Sequence, residues 1–225
     1  MPNPNRPLPP KNPSSRRLLT QGLRRLLRKP DGAGGGAGGA EACDAPRKAA
    51  FVGIGSELRG DDAVGVVVAN RLRDWQSSGR DAGDAPSHLL AGAGEKPAGA
   101  ASGVFNDALF VNGGSAPENV LGEVKAFQPD VIVFIDAAVM GRERGAVRLI
   151  DTRQEKISGI SFCTHSLPLT IIADYIRQSL DCEIYVIGIE PGDMGFRPDC
   201  ALSPPVAAAA DEVVDAIVDA SLPPA

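Results

Sequence analysis

Long apolar runs are missing from this sequence. None reaches the roughly 18 consecutive residues that a membrane-spanning helix needs, so stable insertion into a bilayer is not expected. The opening residues are rich in Pro and Arg and lack the continuous apolar stretch of a secretory signal. A basic excess is missing too: the formal charge is −5, which argues against a general nucleic-acid binder. The four cysteines, Cys43, Cys163, Cys182 and Cys200, form no C-x-x-C pair and no zinc spacing. They read as reduced thiols of a cytoplasmic protein. Cys163 and His165 make a short Cys-x-His pair, but one pair without partners is poor support for a metal. No internal repeat is visible, and no defensible Ser-His-Asp pattern, because a single histidine stands in a plausible place.

What is present fits one α/β domain of a 225-residue chain with loose ends. The first 30 residues carry eight basic residues and no acidic ones, and six prolines deny regular structure to the opening. Within "SSRRLLTQGLRRLLRKP", Leu18, Leu19, Leu23, Leu26 and Leu27 share one helical face and Arg17, Arg24, Arg25 and Arg28 the other. A glycine-rich linker, "DGAGGGAGGA", follows. Residues 1–48 are expected to be a disordered arm, with binding to an acidic surface or organelle targeting as the functional readings. Residues 49–221 form the folded domain. Within it, residues 76–107 drop to Gly, Ala, Ser and Pro and read as a flexible insertion. His88, inside that insertion, reads as a solvated loop residue.

The domain alternates strands and helices. "AAFVGI", "ALFVNGG", "VIVFIDAA" and "EIYVIGIE" read as strands, and "GAVRLID" as an edge strand. Residues 61–75 read as a helix, with Asp61 as its cap and Asp62 just inside. Ser115 and Glu118 suggest a capping box before the next helix. "SLPLTIIADYIRQSL" has Pro168 in its first turn, and Ser203 is expected to cap the last helix. The pattern predicts a mostly parallel twisted sheet flanked by helices on both faces, a three-layer α/β/α sandwich.

"FVGIGSELRGDDAVG" (51–65) looks like a nucleotide-binding turn and fails each test of one. G-x-G-x-x-G would need glycine where Leu58 stands. A phosphate loop would need Lys and Ser or Thr where Asp61 and Asp62 stand. Two carboxylates at a helix start repel phosphate. One serves as a cap; the second wants a cation. Asp136 ends "VIVFID" at the carboxyl edge of the sheet, and His165 stands at a later helix start. Each alone reads as a cap or a packed residue. Together, Asp62, Asp136 and His165, from three strand–helix junctions, can offer oxygen and nitrogen to one divalent metal with positions left open.

These segments resemble the nickel–iron hydrogenase maturation endopeptidases. "GIGSELRGDDAVG", "NGGSAPEN", "FIDAAVMG", "THSLPL" and "IGIEPGDMGF" follow in that family's order across most of residues 51–220. The resemblance implies a protease that removes the C-terminal extension of the hydrogenase large-subunit precursor after nickel insertion. It implies metal contacts from Asp62, Asp136 and His165, to nickel that arrives with the substrate rather than to a resident ion. One departure stands out: Asn112 occupies the place of the family's usual aspartate in the "D-G-G" turn, and if that aspartate is a base or orienting group, its loss puts cutting in doubt while leaving nickel recognition possible. Asn112 still supplies a donor and an acceptor. The alternative is a module that binds nickel-loaded precursor without cutting it, and a more distant one is a generic metal-dependent hydrolase. A monomer is expected.

Overall fold

A computed structural model describes residues 13–28, 46–77, 107–153, 161–162, 169–197 and 201–221. The core of the fold is a five-stranded path, β2-β1-β3-β6-β4. It comprises β1 (Ala49–Ile54), β2 (Ala108–Gly114), β3 (Val131–Val139), β4 (Val147–Asp151) and β6 (Glu183–Ile189). All neighbours pair in parallel except β4, which runs antiparallel along the β6 edge. A two-residue strand, β5 (Ser161–Phe162), pairs with the end of β3. Every residue of β1 and the first eight of β3 are buried, which is why both read as unbroken apolar runs.

Alternation along the strands feeds two cores. On one face Phe51, Val133, Ile135 and Ile187 pack against helices α1 (Pro13–Leu26), α2 (Val64–Ser77) and α5 (Pro204–Ser221). On the other, Val52, Ile132, Phe134 and Val186 meet α3 (Leu121–Phe127) and α4 (Leu169–Arg177). The expected α/β/α sandwich is what forms.

The first layer corrects the reading of the N-terminal arm. Residues 13–26 are a helix that belongs to the domain, not a disordered extension. Leu19, Leu23 and Leu27 are buried in the same core as Val213 and Ile217 of α5, while Leu18 points away and is 69% exposed. Full burial of a leucine stabilises by roughly 1.5–3 kcal/mol, so three of them at i, i+4 and i+8 hold the helix down. Arg16 adds an ion pair to the buried Asp215 at 3.0 Å and one to Asp219 at 2.7 Å. Arg47 fastens the far end, donating to the carbonyls of Leu26 and Asp130, each at 3.1 Å. The sequence reading failed because the proline and glycine flanks dominated the composition, while the acidic partners lie about two hundred residues away in the chain.

Three local expectations also change. The helix after β1 opens with a 3-10 turn, Gly60–Ala63, and carries no side-chain cap from Arg59. The turn after β2 starts at Pro117, one residue later than expected, behind Ala116, which offers no side-chain cap. Ser203 uses its amide and its hydroxyl to donate to Asp61. Residues 78–106, the bulk of the expected insertion, lie outside the described residues, as do His88, Cys43, Cys163 and Cys200. Cys182 is a buried free thiol whose pKa burial pushes up, which suits a core residue.

Candidate functional site

The chain leaves β1 toward β2 on one side and returns to β3 on the other, so the sheet's strand order reverses between β1 and β3. A crevice opens at such a switch point, outside the carboxyl ends of the strands. Asp62 enters it from the turn after β1, and Asp136 from the sixth position of β3.

The turn is held there by glycine, for packing and not for phosphate. A Cβ on Gly65 would collide with the carbonyl oxygens of Ile54 and Ile135, and one on Gly53 with the carbonyl of Gly65. The start of α2 therefore lies directly on β1 and β3, closer than any side chain allows. That approach carries the adjacent residues 60–62 under the surface: Asp61 and Asp62 are both essentially inaccessible.

The two neighbours do different things. Asp61 is the organiser. Its Oδ2 accepts hydrogen bonds from the amides of Gly192 and Asp193, both 2.7 Å, and from the Ser203 hydroxyl at 2.8 Å; its Oδ1 accepts from the Ser203 amide at 2.6 Å. It thus ties the loop after β6 and the start of α5 to the turn after β1. Asp61 was expected to cap its own helix; it caps the distant one instead. Asp62 is tied to its own turn, with Oδ2 accepting from the Ser56 amide at 3.1 Å.

Asp136 is fully buried, and neither of its oxygens receives a hydrogen bond of good geometry among the described residues. Burial holds its pKa well above the usual carboxylate range, the charge of Asp62 raises it further, and the Ala137 amide opposes both more weakly. A buried carboxylate without donors is costly unless it is protonated or meets a cation. Asp136 and the neighbouring Asp62, two buried acids on one crevice, form a donor set that fits a divalent metal. Among the described residues no group of three or more His, Cys, Asp or Glu assembles into a complete metal site. The third residue of the sequence reading, His165, lies outside the described residues. The helix that begins four residues after it, α4, packs on the face to which Asp136 belongs.

Asn112 is placed differently. Alternation along β2 sets it on the α2 side of the sheet, whereas Asp136 continues the opposite row of Ile132 and Phe134. Its amide oxygen accepts from Gly114 at 2.9 Å and its amide nitrogen donates to Asn70 Oδ1 at 3.3 Å. This spans the register irregularity where Gly113 is skipped between β1 and β2.

One residue of the region escaped the sequence reading. Glu190 is buried at the end of β6, and its Oε2 accepts from the amides of Met140 at 2.7 Å and Arg142 at 3.1 Å. It shapes the loop that follows β3. Only its place in "IGIEPGD", an acid directly after a buried strand, hinted at this.

A single-sheet α/β protein with an acidic crevice at the switch point is the class that these features define. The model of the hydrogenase maturation protease family, HycI, matches residues 100–220. A relative from Methanocaldococcus jannaschii, named as a hydrogenase maturation protease, is 30% identical over 173 residues, 77% of this chain and 88% of the relative. The hydrogenase 3 maturation protease of Escherichia coli K12 is 27% identical over 143 residues, 64% of this chain and 72% of that protein. The crystal structure of the NiFe hydrogenase maturation protease HycI from Thermococcus kodakarensis aligns with a TM-score of 0.57 at 30% identity, over 77% of this chain and 92% of that one. The chain belongs to the hydrogenase maturation protease family. It is an enzyme, an endopeptidase of hydrogenase maturation. No described helix is long and apolar enough to cross a membrane.

Proposed function

We propose that this protease removes the C-terminal extension of a nickel–iron hydrogenase large-subunit precursor, and that it recognises the nickel the precursor carries. The observation that carries the reading is Asp136: a buried carboxyl that receives no hydrogen bond of good geometry among the described residues, beside a second acid at the switch point. Such a group is held in readiness for a cation. Nickel bound to the substrate would receive oxygen from Asp62 and Asp136 and nitrogen from His165, and a precursor without nickel would leave two acids facing each other. The metal thereby acts as part of the substrate. Nickel in this position can polarise the scissile carbonyl or activate a water. A carboxylate acting as general base on that water is the competing route.

The test is to mix the purified protein with precursor in nickel-loaded and nickel-free forms and follow the precursor's mass. Loss of a C-terminal fragment from the loaded form alone is expected. Asp62→Ala and His165→Ala should each abolish processing with an unchanged circular dichroism spectrum. Normal processing by either variant overturns the ligand set; cleavage of the nickel-free form overturns nickel recognition.

A further inference from the structure

Six large apolar side chains are exposed among the described residues: Leu18, Leu58, Val139, Ile171, Tyr175 and Phe196. Leu58 and Phe196, 52% and 74% exposed, stand on two loops that touch. The first follows β1 and leads into Asp61 and Asp62; the second follows β6. Both leave the carboxyl edge of the sheet, beside the acidic crevice.

The two loops are fastened to each other by several hydrogen bonds. The Arg197 amide donates to the Leu58 carbonyl at 2.8 Å, which sets Phe196 on the stretch of backbone beside Leu58. The Asp61 amide donates to the Asp193 carbonyl at 2.7 Å, and the Asp61 carboxylate takes the Gly192 and Asp193 amides. Arg59 Nε reaches the Met194 carbonyl at 3.4 Å. Within the second loop, Arg197 pairs with Asp193 at 2.9 Å and Asp193 also accepts from the Gly195 amide at 2.9 Å. Much of this framework is backbone held by the buried Asp61, so it persists without any partner. An apolar side chain on a mobile loop gives up much of its contact energy to ordering; one on a fixed loop does not. Solvent exposure of a leucine and a phenylalanine on a rigid double loop has no benefit for folding. It suits a protein partner.

We propose that Leu58 and Phe196 form an apolar docking platform for the folded body of the hydrogenase precursor, with Asp61 as the residue that positions it. The proposal rests on the function proposed above, because the occupant is that enzyme's own substrate. The argument for this occupant is continuity: the loop that carries Leu58 donates its Ser56 amide to Asp62 and runs directly into the turn of Asp61 and Asp62, so a protein seated on Leu58 and Phe196 lies beside Asp62. Recognition is thereby divided. The two apolar residues grip the protein, and the acids inspect its metal.

The experiment compares the wild-type chain with Leu58→Ser/Phe196→Ser in three measurements on nickel-loaded precursor: affinity by calorimetry, cleavage rate at limiting precursor, and cleavage rate at saturation. Size-exclusion chromatography with light scattering is run on both chains. The expected result is about a tenfold or greater loss of affinity, a matching loss of rate at limiting precursor, and a nearly unchanged rate at saturation. A purely structural defect would lower all rates together and shift the melting curve. A double variant with wild-type affinity overturns the proposal while leaving the enzyme's function intact. A variant that changes oligomeric state and not precursor affinity also overturns it, since the platform would then hold a second copy. Failure of the wild type itself to bind or cut the precursor would overturn the function, and the platform with it.

Discussion

The charge of Asp62 pushes the Asp136 carboxyl further up the pH scale than burial alone takes it. Neither residue is explained by folding. A helix start needs one acid at most, and the end of a central strand is served as well by an apolar residue. A site that holds an acid against its preference is destabilised locally, and function is the usual reason for such an arrangement.

That tension gives a signed prediction. The folded state binds the Asp136 proton more tightly than the unfolded chain, whose pKa is about 3.9. The residue's contribution to stability is therefore favourable at low pH and is lost as pH rises through the raised folded pKa. Asp136→Asn removes that loss. In the presence of a chelator, the variant should melt higher than wild type at alkaline pH, by roughly 2–4 °C for each kcal/mol relieved, and the two curves should converge at acid pH. Parallel melting-temperature profiles across pH would show that the carboxyl is not under this strain.

Asp61 should behave in the opposite way. It is the acceptor of four hydrogen bonds, three of them from backbone amides, and its own carboxylate is buried. Asp61→Ala leaves those donors unsatisfied, and a loss of about 3 kcal/mol or more is expected. Asp61→Asn, which keeps one oxygen, should lose less. Urea denaturation measures both; equal stability of wild type and Asp61→Ala would mean that the loops are held by something else.

The strands were legible because each is an apolar run with both faces buried, and such runs need no knowledge of their neighbours. Asp62 and Asp136 were legible for a related reason: each sits at a strand–helix junction, and junctions of a parallel sheet converge on one edge. Asp61 was misread because its partners, Gly192, Asp193 and Ser203, lie more than 130 residues away. Local rules assign an acid at a helix start to that helix. Ser203 was misread for the mirror-image reason, since its hydroxyl answers to Asp61. The N-terminal helix was hidden by composition, its leucine spacing being visible while the surface that receives it was not.

That helix yields a third prediction. Leu23 is wholly buried against the α5 layer. Leu23→Ala should cost about 2–5 kcal/mol, measured by chemical denaturation of the full chain, and Arg16→Met roughly 1–3 kcal/mol through loss of the Asp215 and Asp219 pairs. A detachable arm would show neither effect.

Gly65→Ala tests the close approach of α2. The added methyl meets two carbonyl oxygens of the central strands, neither of which can move without breaking the sheet. The variant is expected to be insoluble or unfolded on expression, far beyond the ~1 kcal/mol that a glycine-to-alanine change normally involves within a helix, where its usual direction is stabilising. A soluble, folded Gly65→Ala chain would mean that the helix has slack.

Without slack, α2 has only one seating depth on the sheet. In the function proposed above, the carboxylate that precedes it is the fixed jaw of a gauge, whose opening is set by backbone against backbone rather than by side-chain choice. Adjustment to a visiting ion then falls to the opposite jaw and to the visitor. On that proposal, the chain measures its substrate instead of folding around it.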